Sequence, residues 1–507
     1  MKMKNTLNIF TKTLAAFVLL FTLNGCLEKN PGDFIPEAEA MNTFSDAEQT
    51  LTGIYAAYMS SALYSGYLTL CPDIQSDLVY AIDGYSNSYG SHWLWKIYST
   101  NSEIESIYAA LYRVIGRCNF YLDQVEEVRG SLTDDAYIQT LDYYTGEVYC
   151  ARALAYSELV KCFCKAYDPK TADTDLGVVL RSKYFESEPV VRASLADSYS
   201  FIISDLEKAI ELLDEENDTF NYAYFTEAAA HAIYARVALY MQDWKTAVDH
   251  SSKIIDHKTA GFELADAKTY YSAGVTMLDY LRQYDASYEI IWKIGYTNTS
   301  YGYPTGAVFT GVTNDFTYYY PDYVPAQWVL NLYGSGDKRY DAYFSNVQTG
   351  YPHQLTWPLL VKYFGNRNLI SNVLVYETNM PKPLRMAEQY LIRAEAYCNL
   401  GEYGKASADL TTLRKSRYTT GGNINVNEGN WLQTISDERV RELYMEGFRL
   451  HDLKRWNRGF ERVPQSNSLV EGSSIKVDAS DPLFVWPIPN HEIEAPGSGI
   501  IGNESNK

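Results

Sequence analysis

Helical hairpins are the feature of this sequence that most restricts its fold. Across residues 385–400, apolar side chains recur at intervals of three and four residues, as on one face of an α-helix. These positions are Ala387, Tyr390, Leu391, Ala394, Tyr397 and Cys398. Gly401 favours a helix end, and Ala406, Leu410 and Leu413 then share one face of a second helix. The sequence therefore predicts two antiparallel helices joined by a tight bend.

The same hairpin pattern occurs earlier in the chain. In ARVALYMQDWKTA, the pattern is Ala235, Trp244 and Ala247, at the spacing found in the first hairpin. The small residue lets one helix approach its partner and the aromatic fills the bend, as in tetratricopeptide repeats. Helical periodicity predicts two further pairs, one from about Glu103 to Cys164 and one ending in ISDERVRELYMEGFRLHDLKRW. Because the hairpins are dispersed, they are not expected to form a plain open solenoid.

Composition excludes several functional classes. The chain has 507 residues, with 43 Lys+Arg against 63 Asp+Glu and a formal charge of −20. This acidity argues against a nucleic-acid binder or a basic membrane-surface protein, because both need clustered cations. With 46% apolar and 21% charged residues, the chain is expected to fold as a globular protein. Tyrosine is abundant, at 46 residues.

The N-terminus has the pattern of an export signal. Lys2, Lys4 and Lys12 precede the apolar stretch LAAFVLLFTL, which is shorter than the roughly 20 residues that a helix needs to cross a bilayer. The tetrapeptide LNGC that follows resembles a bacterial lipobox, in which Cys26 would be acylated. We predict a signal peptide over 1–25 and a lipid-anchored mature chain over 26–507. The alternative is a soluble secreted protein with a free Cys26.

The other six cysteines are predicted to be buried thiols. They are Cys71, Cys118, Cys150, Cys162, Cys164 and Cys398. They are too few and too scattered for a disulfide framework in so long a chain. No CxxC pair or histidine at ligand spacing indicates zinc, and whether the protein binds another metal stays open.

Several sequence blocks, taken in order, resemble a known family. The blocks are CLEKNPGDF, SDAEQTLTGIYAAYM, GEVYCARALAYSELVKCF, PVVRASLADSYSFIISDLEKAIELL, EIIWKI, LRMAEQYLIRAEAY, DERVRELYMEGFRLHDLKRW and FVWPIPNHEIEAPG. In order and spacing they resemble the SusD-like (RagB/SusD) outer-membrane nutrient-binding lipoproteins of Bacteroidetes. The resemblance covers most of the chain.

The resemblance implies a mainly α fold in one domain. Four tetratricopeptide-like hairpins would support a large irregular, loop-rich ligand-binding region with short strands. The helical scaffold would cover about 40–260 and 384–460, the irregular insertion about 262–383, and an extended C-terminal tail 461–507.

The resemblance also implies a function. Such a protein sits on the outer face of the outer membrane, held only by its lipid. It binds oligosaccharides or polysaccharides without hydrolysing them and without a cofactor. It delivers them to a partner SusC-like TonB-dependent transporter.

Two loop-like windows of the sequence have the composition expected of a glycan site. A sugar ring stacks its CH face on an aromatic plane, and its hydroxyls need polar partners. Residues 80–98 hold six aromatics, and residues 296–323 hold seven tyrosines, both interleaved with glycine. Starch-binding members of the family place their stacking aromatics in corresponding regions. We predict stacking by Tyr89, Trp93, Trp95, Tyr301, Tyr303 and Tyr319, with Asp77, Asn87 and Asn314 as polar partners.

Two other patterns are interpreted as structural. Glu446, Arg449, Asp452 and Arg455 follow one another at intervals of three, which predicts a charge ladder on one helix. The stiff segment WPIP near the C-terminus is predicted to dock the tail onto the helical body.

Two other functional classes remain open. One is a peptide- or protein-binding tetratricopeptide adaptor. The other is a glycoside hydrolase, for which no carboxylate pair is marked in the sequence. HExxH, GxSxG and P-loop motifs are absent from the sequence.

Overall fold

A computed structural model describes residues 40–185, 189–269, 275–311, 319–349, 356–369, 377–466 and 468–507. Helices dominate. In chain order they are α1 Phe44–Tyr58, α2 Tyr67–Gln75, α3 Gly90–Trp93, α4 Ser102–Ser131, α5 Asp135–Phe163, α6 Leu195–Leu212, α7 Glu227–Met241, α8 Trp244–Ile255, α9 Met277–Tyr284, α10 Ala307–Thr310, α11 Gln327–Leu330, α12 Lys338–Tyr343, α13 Met386–Asn399, α14 Tyr403–Arg417, α15 Trp431–Leu443, α16 Arg449–Arg455 and α17 Asn490–Glu494. In the described part of the chain, no helix combines the length and apolarity needed to cross a membrane.

The strands are short and pair antiparallel in twos. They are β1 Val79–Ala81, β2 Ile290–Trp292, β3 Tyr323–Pro325, β4 Phe344–Gln348, β5 Thr356–Leu360, β6 Leu384–Arg385, β7 Phe460–Arg462 and β8 Ile475–Val477. The pairs are β1 with β3, β2 with β6, β4 with β5, and β7 with β8. The predicted mainly α class with short strands is confirmed.

The predicted helical hairpins form. Helices α4 and α5, α7 and α8, and α13 and α14 are joined by short bends. The α7–α8 bend uses Gln242 in the left-handed region, and Asp243 caps α8 by accepting from the Thr246 amide. Gly401, with φ +76°, provides the bend after α13. The helix end predicted at Gly401 is therefore confirmed, and Gln242 makes the corresponding bend after α7.

The hairpins share apolar cores in the way that the periodicity predicts. Ala387, Leu391 and Ala394 of α13 are buried against Ala406 and Leu410 of α14. On its other side, α13 packs on the α7–α8 hairpin. The core formed there consists of Ala235, Ala238, Leu239, Ala247, Ile392 and Ala396. Small residues thus allow three helices to approach closely.

The fourth helix pair is formed by α15 and α16, but the charge ladder predicted within it does not lie on one helix. Helix α15 ends at Leu443 and α16 begins at Arg449, and Met445 (φ 59°) and Gly447 (φ 84°) break the helix between them. The predicted ladder is therefore wrong for its first two steps, and only the Asp452–Arg455 pair forms, at 2.9 Å.

Glu446 and Arg449 pair elsewhere instead of with each other. Glu446 pairs with Arg385 at 2.7 Å, and Arg449 pairs with Asp77 at 2.8 Å. Both ion pairs join segments that are distant in the chain. Both pairs are structural, as predicted, but they connect separate segments instead of forming a ladder along one helix.

A set of buried charges connects the segment between α8 and α13 with helices α14 and α15. We call it the buried ion network. It comprises Glu289, Asp337, Arg339, Arg385, Arg417, Glu438, Glu442 and Glu446. Glu442 is its centre, since its carboxylate accepts from Arg339 at 3.1 Å, Arg385 at 3.0 Å and Arg417 at 2.9 Å. The network fixes the loop-rich part of the protein to the helical scaffold.

The C-terminal tail docks on the helical body, as predicted. Trp486 is 1% exposed, and its indole Nε1 donates to Gln75 Oε1 at 2.7 Å. Its backbone amide donates to the carbonyl of Cys162 at 3.0 Å. The six cysteines after Cys26 are buried and unpaired, which confirms that prediction too.

Candidate functional site

The structure brings the two aromatic windows together. Strand β1, in the first window, pairs with β3, at the end of the second, with Tyr80 opposite Val324. Just after β1, the amide and hydroxyl of Ser86 donate to the two carboxylate oxygens of Asp322, at 2.6 and 2.7 Å. Two loops far apart in the sequence therefore form one region of the surface.

Trp93 is part of the core, which corrects its predicted role in stacking. Its side chain is fully buried, and its Nε1 donates to the carbonyl of Glu471 at 2.8 Å. The guanidinium carbon of Arg462 lies 3.8 Å from the ring centroid, so an arginine occupies the face predicted to hold a sugar. The prediction is wrong for this residue because protein atoms already cover both its ring and its donor.

Trp95 is also buried, at 8% exposure. Its ring meets Phe460 at 5.4 Å and Phe484 at 5.3 Å, both edge to face. The two tryptophans do not share a face of an extended segment, because Trp93 ends helix α3 and Trp95 has a φ of 57°. Both rings instead pin the first window to the C-terminal part of the chain.

Two other predicted residues are buried as well. Asp77 is 8% exposed, and its carboxylate accepts from Arg449 Nε and Nη2, both at 2.8 Å. Tyr89 is 6% exposed and packs edge to face on Tyr67 at 5.9 Å. Burial raises the pKa of the Tyr89 hydroxyl. The prediction of direct ligand contact is therefore wrong for Asp77, whose carboxylate is occupied by Arg449, and the Tyr89 side chain is mostly covered by protein.

The remaining predicted residues are more accessible. Tyr301 and Tyr303 are 42% and 41% exposed. Asn87 is exposed, with its Oδ1 accepting from the Tyr85 hydroxyl at 3.2 Å. Tyr319 is half-buried, 6.5 Å from the Phe364 ring. Asn314 and Cys26 lie outside the described residues.

Gly302 fixes the orientation of the exposed tyrosines. A Cβ at this position would lie 2.1 Å from Tyr296 Oη and 2.8 Å from Ser65 Oγ, so the backbone itself packs against the turn before α2. The hydroxyl of Thr305 adds a hydrogen bond to the Ser65 carbonyl at 2.7 Å. The loop is therefore held in place while Tyr301 and Tyr303 on either side of Gly302 are displayed to solvent.

Tyr67, at the start of α2, is a site residue that the sequence reasoning missed. It is half-buried, its ring packs edge to face on Tyr89 at 5.9 Å, and burial first, then Glu103, Cys71 and Tyr303, raise the pKa of its hydroxyl. We call Tyr67, Tyr301 and Tyr303 the tyrosine surface. Tyr67 lies outside both windows, so their aromatic composition did not indicate it. The sequence signal for it was Gly66, which directly precedes it at the start of a helix.

The tyrosine surface is suited to binding and shows no metal centre. Across the described residues, no group of three or more His, Cys, Asp or Glu side chains is arranged to hold a metal ion. Tyrosine rings supply apolar planes, and their hydroxyls donate and accept hydrogen bonds. A polyhydroxylated ligand needs this combination of groups.

A partly open cavity of about 70 Å³ is a separate feature. It lies between the scaffold and the insertion, and its charged side chains are paired, Lys362 with Glu446 and Arg236 with Glu388 at 2.6 Å. Its volume suits a few water molecules rather than a sugar ring. We therefore place the candidate site on the tyrosine surface and not in this cavity.

Comparison with protein-family models identifies the family. Residues 33–239 match the family described as starch-binding and associating with the outer membrane, and residues 234–497 match the SusD family, over more than half of the chain. The chain belongs to the SusD family. The resemblance inferred from the sequence blocks is therefore confirmed.

A curated SusD-family relative is similar over a short segment. The starch-binding protein SusD of Bacteroides thetaiotaomicron is 39% identical over 87 residues, which cover 17% of this chain and 14% of that protein. The match thus spans about a seventh of the relative's length.

Solved structures share the fold over nearly the whole chain. A SusD superfamily protein from Bacteroides thetaiotaomicron has a TM-score of 0.78 at 22% identity, covering 91% of this chain and 99% of that one. A putative sugar binding protein from Bacteroides vulgatus has a TM-score of 0.74 at 23% identity, covering 92% and 100%. At these identities the likeness establishes the fold.

Proposed function

We propose that this SusD-family protein captures an oligosaccharide or polysaccharide at the outer face of the outer membrane, held there by a lipid on Cys26. It passes the glycan to a partner SusC-like TonB-dependent transporter and performs no catalysis itself. Family membership supports the transporter and the location, and the LNGC sequence supports the anchor. The binding step is supported by the structure of the loop around Gly302.

The exposure of Tyr301 and Tyr303 is the observation that carries this proposal. These two side chains are about two-fifths exposed, in a loop whose backbone is packed against the scaffold. Because the loop is already ordered, little entropy is lost when a sugar stacks on it. A rigid display of tyrosines is a binding surface for neutral hydroxylated ligands, which suits an acidic protein.

Replacing both tyrosines is expected to weaken glycan binding by about tenfold or more, since each stacking contact contributes on the order of 0.5–1.5 kcal/mol. A glycan array on the purified protein would identify a ligand. Calorimetry would then compare the Tyr301→Ala, Tyr303→Ala double variant with the unchanged protein.

Tyr184→Ala is the matched control, because Tyr184 is also exposed, at 44%, but packs on Phe120 of α4. The Tyr184→Ala variant should bind the glycan with unchanged affinity. Full affinity in the double variant would rule out the tyrosine surface as the site. New reducing ends after incubation with the ligand would show hydrolysis and contradict the non-catalytic proposal.

A further inference from the structure

A second pair of exposed tyrosines lies outside both windows. Tyr222 and Tyr224 are 38% and 48% exposed, and their ring centroids lie 5.4 Å apart with the planes tilted by 58°. They are two residues apart in the loop before α7, so in an extended stretch their side chains share a face. Neither residue belongs to a hairpin core.

The loop that carries them is firmly attached to β2 and α1. Four hydrogen bonds hold the backbone of residues 221–225. They run from Asn221 N to Ile290 O at 2.6 Å, from Lys293 N to Tyr222 O at 2.9 Å, from Trp292 Nε1 to Ala223 O at 3.2 Å, and from Phe225 N to Tyr55 Oη at 2.7 Å. The backbone is therefore fixed independently of the two exposed rings.

Other aromatic residues supply the packing behind this loop. Phe225 stacks on Trp292 with centroids 4.4 Å apart, and the Tyr55 ring meets Tyr224 edge to face at 5.1 Å. Phe225 and Trp292 are both fully buried. These buried residues hold the loop from behind, while Tyr222 and Tyr224 keep 38% and 48% of their surface exposed.

The loop also touches the segment that leads to the tyrosine surface. A Cβ on Gly295 would lie 3.1 Å from the Cβ of Ala223, so the two loops are in direct contact. Tyr301 follows Gly295 by only six residues, which span at most about 20 Å even when fully extended. The two tyrosine pairs therefore lie on loops that adjoin at Ala223 and Gly295.

We infer that Tyr222 and Tyr224 form a second stacking platform for the same glycan. The inference rests on the proposed function and specifies its ligand as a long glycan chain rather than a mono- or disaccharide. A chain held on the tyrosine surface reaches the second platform at high effective concentration, so the weak contacts reinforce each other. Affinity then rises with chain length until both platforms are filled.

The test measures the affinity of the Tyr222→Ala, Tyr224→Ala double variant for short and long oligosaccharides of the glycan found on the array. We expect binding of the long chains to weaken by about tenfold and binding of di- and trisaccharides to stay unchanged. The Tyr222→Phe, Tyr224→Phe variant keeps the rings and should retain most of the long-chain affinity. Tyr184→Ala again serves as the control.

Each other outcome has a distinct meaning. Unchanged affinity for long chains would overturn the second platform while leaving the proposed function intact. Equal weakening for short and long chains would also overturn it, because the loop would then act only through the tyrosine surface. Failure of the unchanged protein to bind any glycan would remove the proposed function itself.

Discussion

Replacing Arg462 by alanine is expected to lower the free energy of unfolding by about 3–5 kcal/mol. Its guanidinium is buried and donates to the carbonyls of Ile74, Gln75 and Ser76, where α2 ends, at 3.1, 2.7 and 2.6 Å. It also donates to the Trp93 carbonyl at 2.5 Å. Removing it would leave these buried acceptors without donors and open a cavity against the Trp93 ring.

Urea unfolding followed by circular dichroism would measure this loss. Arg458→Ala, four residues away on a more accessible part of the chain, should change the free energy of unfolding by no more than about 0.5 kcal/mol. Arg462→Lys keeps the charge but not the forked donors, and should recover only part of the loss. A loss below about 1 kcal/mol for Arg462→Ala would show that the α2 carbonyls are satisfied without it.

Glu442→Gln is expected to have an effect of similar size, about 3–5 kcal/mol, because it removes the central anion of the buried ion network. Although burial raises the pKa of Glu442, Arg417 and Arg385 outweigh it and hold the pKa well below the usual range. A depressed pKa stabilises the fold above the unfolded-state pKa of about 4.3, and this stabilisation is lost as the pH falls. The unchanged protein should therefore show a steeper loss of stability in acid than the variant.

The free energy of unfolding measured at neutral pH and at successively lower pH would test both parts. Glu126→Gln is the control, because the Glu126 side chain is 77% exposed and its partner Arg129 is 3.7 Å away. If Glu442→Gln does not fold, adding Arg417→Met removes a buried cation at the same time and should restore part of the stability. A variant as stable as the unchanged protein, with the same acid dependence, would contradict the proposed role of the network.

The hairpins could be predicted from the sequence because their information is local. The spacing of Ala387, Leu391 and Ala394 defines a helix face, and Gly401 defines its end, whatever the rest of the chain does. The charge-ladder prediction was wrong because it depended on whether one helix continues through the whole segment. The pattern of charges at intervals of three assumed one continuous helix, although Gly447 was already a signal against it.

The candidate site was only partly predictable, because aromatic residues in loops either pack or face solvent and their composition is the same in both cases. Trp93 is buried by Arg462, which lies hundreds of residues away in the sequence, and Asp77 is neutralised by the equally distant Arg449. Tyr301 and Tyr303 remain exposed because Gly302 lets the backbone approach Tyr296. These long-range contacts are absent from any local pattern.

The buried, unpaired cysteines can be used to detect local opening of the folded protein. Burial raises the pKa of the Cys162 and Cys398 thiols to about 12, so neither forms the reactive thiolate in the folded state. Cys162 lies under the docked tail and Cys398 within the α13–α14 hairpin. Reaction with a thiol reagent, followed by identification of the labelled cysteine by mass spectrometry, would therefore record separately when the tail detaches and when the hairpin opens.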